Sequence, residues 1–307
     1  MKNNSFRAII LSIIFLAFTV LFSPLYAQSS SVGTTAMDFL RLSHEVKADA
    51  LGTALTAYQN HSAFTVNPSG LADKAPVIIK LHYLSHVESI SFKNLKASLP
   101  FLKGNVGVSL GIIDYGSQAR TTFTDQAGSA SGDFSSKGHL LHLGYGMALG
   151  RVNMGASVHY LSQTLDTRTS TAMSTSVGTQ VKIDDSLRAG MSLNNITLKK
   201  AQYIRNSAQL PQEFRTGLFY KGNIFEKKLG LGVDLVRAID TDFTLAIGAE
   251  LGIHRLVDLR LGYNTYSDIN PFSMGLGMNL SKMLVDFTYK PSDLFGESYR
   301  VGFGYSL

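Results

Sequence analysis

The chain has 307 residues, of which 45% are hydrophobic and only 16% charged, with 28 Gly, no Cys and no Trp. A charged share this far below the roughly 25% of soluble domains leaves too little charge to coat a water-facing globule. The formal charge is +6, but Lys and Arg are scattered one or two to a segment. They form no basic, aromatic-rich stripe, so nucleic-acid binding is excluded.

The N-terminus reads as an export signal. Lys2 and Arg7 precede an apolar run over 8–22, and Leu25-Tyr26-Ala27 offers a small residue for cleavage before Gln28. That order is the n-region, h-region and cleavage site of a secretory signal peptide, and the run is too short to span a bilayer as a helix. Residues 1–27 are therefore expected to be removed and the rest exported. No later segment has 18 consecutive apolar residues, which says nothing against strands that cross a membrane.

Residues 28–75 follow a different pattern from everything after them. Phe39, Leu42 and Val46 fall at helical spacing, and Asn67-Pro68-Ser69-Gly70 is a run of turn formers. The segment is expected to be a partly helical plug ahead of a barrel. From residue 76 one theme repeats: apolar residues alternate with Gly, Ser, Asn or a charge for about ten residues, and then the chain turns. Period-two alternation gives a strand one apolar and one polar face. Val106, Val108, Leu110 and Ile112 are one such face, and Phe272, Met274, Leu276, Met278 and Leu280 another. Fourteen strands are expected, near 76–84, 88–98, 104–115, 137–149, 151–163, 172–183, 186–196, 212–220, 229–237, 242–252, 256–265, 271–280, 282–290 and 298–307. Turns at Gly150, Asp184-Asp185 and Ser281 are short. The connections 116–136, 164–171, 197–211, 266–270 and 291–297 are longer or more polar. Short turns at one end and longer loops at the other are the habit of transmembrane barrels.

A soluble sandwich or lipocalin-like barrel would alternate too, but its second face would be rich in Lys and Glu. Here that face carries Gly, Ser, Asn, Thr and single charges. The expected fold is an all-β transmembrane antiparallel barrel over 76–307. Its last strand puts Tyr299, Val301, Phe303, Tyr305 and Leu307 toward outer-membrane lipid. The same strand is the expected signal for the barrel-assembly machinery.

Eight inward charges form a candidate lumenal polar network: Arg188, Arg215, Asp234, Glu250, Asp258, Arg260, Asp286 and Arg300. Their mixed sign points to a network that holds the plug, since a selective pore tends to use one sign. Inward glycines such as Gly230, Gly232, Gly248, Gly262, Gly275 and Gly277 suit close packing against a plug. No cofactor or metal is expected. His82 and His86 lie about 13 Å apart on one strand face, and His139 and His142 point to opposite faces. No enzymatic activity is expected. Phe123 and Phe134 mark 116–136 as a candidate external contact surface.

Three pieces together carry a family likeness: "GTTAMDFLRL" at 33–42, "ADALGTALTA" at 48–57 and "NPSGLAD" at 67–73. With "GNVGVSLGIIDYGS" and "NITLKKAQYIRNSAQLPQEFRTGLFY", they make the mature chain resemble the PorV/PorQ family, a branch of the FadL-like outer-membrane barrels. The resemblance implies a non-enzymatic barrel that assists protein export by a type IX-like secretion system, with secretion components or exported cargo as partners. The wider FadL-like group implies the alternative, passive transport of hydrophobic small molecules.

Overall fold

The computed structural model describes residues 33–73, 76–86, 90–266, 271–291 and 297–307. Residues 1–27, the expected signal peptide, lie outside them.

The strands are β1 (Ile78–Ser85), β2 (Ser91–Phe101), β3 (Gly104–Ala119), β4 (Asp133–Leu149), β5 (Val152–Leu165), β6 (Arg168–Lys182) and β7 (Leu187–Lys199). Two short ones, β8 (Ala201–Gln202) and β9 (Ser207–Ala208), form a separate hairpin. The wall resumes with β10 (Glu213–Ile224), β11 (Lys227–Ala238), β12 (Phe243–His254) and β13 (Val257–Asn264). It ends with β14 (Phe272–Leu280), β15 (Met283–Lys290) and β16 (Ser298–Ser306). All but β8 and β9 join one closed barrel of 14 antiparallel strands. Closure runs through β1 and β16, from Ile78 opposite Ser306 to Ser85 opposite Tyr299. Neither edge is left open, as a wall in lipid requires.

The alternation settles which face looks out. Leu81, Ile112, Met154, Val233, Leu261, Met274 and Phe303 are all exposed, while their neighbours Lys80, His82, Asp234, Arg260 and Arg300 are buried. Large exposed apolar side chains in a continuous band are what lipid covers. In the last strand, Tyr299, Phe303, Tyr305 and Leu307 are exposed and Val301 half-buried on the same outer face.

One rim carries tight turns at 102–103, 150–151, 183–186, 225–226, 255–256 and 281–282. Phe225 and Glu226 both have positive φ, the geometry that lets a two-residue turn follow the twist of the strands. The other rim carries the longer connections. There the connection expected over 164–171 is a two-residue turn at 166–167. Strands β5 and β6 continue pairing to Leu165 and Arg168, and the Thr164 and Thr169 hydroxyls bond across them at 2.9 Å. Likewise Phe134 belongs to β4, not to a loop. Strands β3 to β7 run 13 to 17 residues, against 8 or 9 for β13 to β16. About 9–11 residues cross a bilayer, so the β3–β7 wall stands proud of the membrane on the loop side.

Fourteen strands enclose more space than wall side chains can fill. Residues 33–73 occupy it. The single helix expected from Phe39, Leu42 and Val46 is divided into a 3-10 turn, Asp38–Arg41, and a short helix α1, Val46–Ala50. Leu42 is extended between them, because the chain must turn to follow the wall. Further 3-10 turns, His61–Ala63 and Pro68–Ala72, complete the plug.

Candidate functional site: the plugged lumen and its loop-side mouth

Asn67-Pro68-Ser69-Gly70 lies fully buried against the wall. The Asn67 side-chain oxygen accepts from the Ser69 N–H and hydroxyl at 3.1 and 2.7 Å, capping the turn that Pro68 begins. Its amide nitrogen donates to the carbonyls of Thr56, at 2.7 Å, and Thr179 of β6, at 3.2 Å. One side chain thus folds the turn and ties it to the barrel.

The wall meets the plug backbone through glycines. A Cβ on Gly248 would come within 2.6 Å of the Leu51 carbonyl, and one on Gly275 within 2.6 Å of the Ala50 methyl. Gly155, Gly178, Gly190, Gly232 and Gly262 stand equally close to Pro68, Asn67, Thr56, Ala54 and Gly52. Two of the expected plug-packing glycines do something else. Gly230 makes room for Phe219 and Gly277 for Arg260, both wall side chains.

The candidate charges fall into three clusters and two outliers. Arg260 donates to Glu250 at 2.7 Å and to Asp286 at 2.5 Å, and Lys47 of the plug joins through Glu250 at 2.7 Å. Asp234, with no exposed side-chain surface, accepts from the Thr56 N–H at 3.0 Å, the Thr56 hydroxyl at 2.7 Å and Arg215 at 3.4 Å. Arg300 pairs with Asp49, which also takes Lys290 at 2.7 Å. Arg188 and Asp258 stand apart, lining a chamber below the plug. The plug supplies partners that the strand pattern did not single out. Glu45 is fully buried between Lys80 at 2.8 Å and Lys96 at 2.9 Å. Ionised groups so deep stay charged only when paired and hydrogen-bonded, so each cluster fixes plug against wall.

The space above and below differs in kind. At the turn-side mouth a chamber of about 1160 Å³ is lined by Lys47, Lys80, Arg188, Glu250, Asp258 and Arg260, a polar vestibule. At the loop-side mouth a cavity of about 700 Å³ is lined by Ala36, Met37, Ile90, Tyr115, Phe134, Leu165 and Tyr203, among others. Among the described residues, Asp38 is the one charged residue that lines it. Tyr203 reaches over it from the loop between β8 and β9 and donates to Gln163 at 2.6 Å. Directly beneath, Met37 and Phe39 pack on inward-facing Leu84, Phe92, Ile113, Leu140 and Leu161. The polar inner face therefore becomes apolar at the loop-side ends of β1 to β5. A small cavity of about 70 Å³ lies beside His44, His142 and His159.

The expectation from strand alternation missed this apolar patch, though a signal was there. Ile112-Ile113, Leu140-Leu141 and Tyr160-Leu161 are apolar doublets that break the alternation, and each puts its second or first member inward. Of the histidines, His82 bonds the His44 carbonyl at 3.0 Å, while His86 lies past the end of β1 beside Ser298. His142 and His159 meet edge to face with ring centres 3.9 Å apart.

No family model matches the chain, and a search of curated proteins finds no match. Solved structures do resemble it. The monoaromatic hydrocarbon channel CymD has a TM-score of 0.60 at 11% identity, covering 85% of this chain and 96% of its own. The Pseudomonas putida toluene transporter TodX has 0.60 at 12%, with the same coverage. A Pseudomonas aeruginosa FadL homologue has 0.59 at 10%, covering 85% of this chain and 98% of its own. The fold is that of the FadL-like outer-membrane barrels. These likenesses add nothing specific to the PorV/PorQ resemblance.

Proposed function

We propose that this chain is a non-enzymatic outer-membrane barrel, exported by a cleaved signal peptide, that passively admits small, uncharged apolar molecules. The observation that carries this reading is the loop-side cavity and the apolar patch of Phe39, Leu84, Phe92, Ile113, Leu140 and Leu161 beneath it. The cavity gives an apolar solute an entrance, and the patch, packed and buried beneath it, is the apolar layer such a solute would part to go deeper. A concave, largely apolar site with few polar groups is the common form of a small-molecule pocket, and its volume is within the usual ~300–1,000 Å³. Among the described residues no cation lines the mouth to draw in a carboxylate solute, and Asp38 is itself paired with Arg41 at 3.5 Å. The neighbouring structures include a monoaromatic hydrocarbon channel and a toluene transporter, which supports uptake over the export role that the PorV/PorQ resemblance implies.

The test is uptake of radiolabelled toluene and of a long-chain fatty acid by cells with an intact lipopolysaccharide outer membrane, with and without the barrel. Faster toluene entry that Ala36→Trp abolishes supports the reading. Unchanged toluene entry rejects it. Export has one observation of its own, the fully exposed Phe123 in loop 120–132, an anchor for a protein on the cell surface. Rejection of uptake would move attention there.

A further inference from the structure

The apolar lining of the loop-side cavity is interrupted on three neighbouring strands, by Tyr115 of β3, Ser136 of β4 and Gln163 of β5. In the β4–β5 ladder Ser136 is opposite Leu165 and Gln163 is opposite Gly138. The two are therefore diagonal neighbours, about 7–8 Å apart. Tyr115 stands at the break in β3–β4 pairing, between Asp114–Lys137 and Ser117–Ser135, which brings it across from Ser136. One inward position deeper on each strand are Ile113, Gly138 and Leu161, the wall against which Phe39 packs.

Each of the three has a polar atom left over. Gln163 is 7% exposed, and its Oε1 accepts from the Tyr203 hydroxyl at 2.6 Å. That bond fixes the amide and leaves Nε2 with no partner among the described residues. The Ser136 hydroxyl, on a residue 8% exposed, has none either, nor has the Tyr115 hydroxyl. Asp38, the charged residue of the lining, is already engaged by the Thr35 hydroxyl at 2.8 Å and by Arg41. The free groups are thus all neutral. Buried polar groups are nearly always hydrogen-bonded, and an unmatched one costs free energy that a fitting ligand recovers.

We infer that Tyr115, Ser136 and Gln163 select small apolar molecules that carry one neutral hydroxyl, phenols above all, over bare hydrocarbons. The phenol oxygen accepts from Gln163 Nε2, and its hydrogen goes to the Ser136 or Tyr115 oxygen. The faces of Tyr115, Phe134 and Tyr203 suit the flat ring. This selection rests on the uptake reading and narrows it to a solute class.

The test is equilibrium dialysis of the full chain in nanodiscs against radiolabelled para-cresol and para-xylene, which differ by a hydroxyl for a methyl. Empty nanodiscs are the blank, and loss of binding in Ala36→Trp places the bound molecule in the cavity. The Tyr115→Phe/Ser136→Ala pair removes two hydroxyls that hold nothing else, so a heat-shift assay is expected to show the fold kept. The pair is expected to lower para-cresol affinity about tenfold relative to para-xylene, the worth of one or two ordinary hydrogen bonds. If the pair does not fold, Tyr115→Phe alone, at a half-buried side chain, carries the test with a loss of several-fold. Both compounds bound in the cavity with an unchanged ratio overturns the selection and leaves apolar uptake standing. Neither compound bound there overturns both.

Discussion

Glu45→Gln is the sharpest test of how plug and wall are joined. The Glu45 carboxylate has no exposed surface and accepts from Lys80 of β1 at 2.8 Å and Lys96 of β2 at 2.9 Å. Both lysine side chains are nearly buried, at 6% and 7% exposed. The amide keeps the shape and removes the charge, leaving two ammonium groups facing each other with Asp286, 3.9 Å from Lys80, as the remaining counter-ion. Breaking a buried ion pair from one side costs about 3–5 kcal/mol, the range expected for this variant. Urea unfolding in detergent, followed by far-ultraviolet circular dichroism, measures the loss. The triple variant Glu45→Met/Lys80→Met/Lys96→Met removes every charge at once. It is expected to recover most of the stability, because an apolar replacement of a whole buried cluster is often neutral or better. A Glu45→Gln loss below about 1 kcal/mol, or a triple variant as weak as the single one, would refute the claim that this charge balance holds the plug.

Other outcomes follow from the same contacts. Gly248→Val places side-chain atoms on the Leu51 carbonyl and is expected to cost ~1–3 kcal/mol or to displace the plug. Because the chain has no Cys, thiol labelling of an added Ala54→Cys reads that displacement directly. Phe39→Ala removes the centre of the loop-side apolar patch and is expected to cost about 3–5 kcal/mol in the same urea assay. Tyr203→Phe loses the 2.6 Å bond to Gln163, and faster protease nicking of 200–212 is the expected readout. In loop 120–132, Asp125 accepts from the Ala130 N–H, the Ser131 hydroxyl and the Ser129 N–H, which hold its carboxyl down to about 2. The sign is that of a depressed acid: the loop's order is complete above the ordinary carboxylate value and is lost as pH falls through about 2. Nuclear magnetic resonance of the Ala130 amide should titrate there, and Asp125→Asn should abolish the step.

Much of the barrel was legible because lipid and lumen impose one rule on every strand. An outward residue must be apolar and an inward one small or polar, so alternation marks both the strand and its face. Strand ends were less legible. Thr164 to Thr171 reads as a polar loop, yet its threonines pair across β5 and β6 above the membrane, where polar residues are at home on both faces. The plug was the least legible part. Its elements are at most five residues long, too short for helical periodicity to show. Asp49 and Glu45 carry no mark in sequence that they would face Arg300 and Lys80, because those partners come together only when the wall closes. The loop-side apolar patch was written in doublets such as Ile112-Ile113, which period-two reading passes over.

The position of α1 bears on how the barrel is put together. The line where β1 meets β16 joins the first strand made to the last. On one side of that line Glu45 grips Lys80 and Lys96 of β1 and β2. On the other, Asp49 grips Lys290 and Arg300 of β15 and β16. The His44 carbonyl takes His82 of β1, and the Ser43 carbonyl takes Arg300 of β16. Residues 43–49 thus fasten both margins of the seam like a clasp. Since this segment is synthesised before any strand, it is on hand to template the last closure, and a chain lacking it would have to zip its seam over Lys80, Lys96 and Arg300, three buried cations without their plug carboxylates.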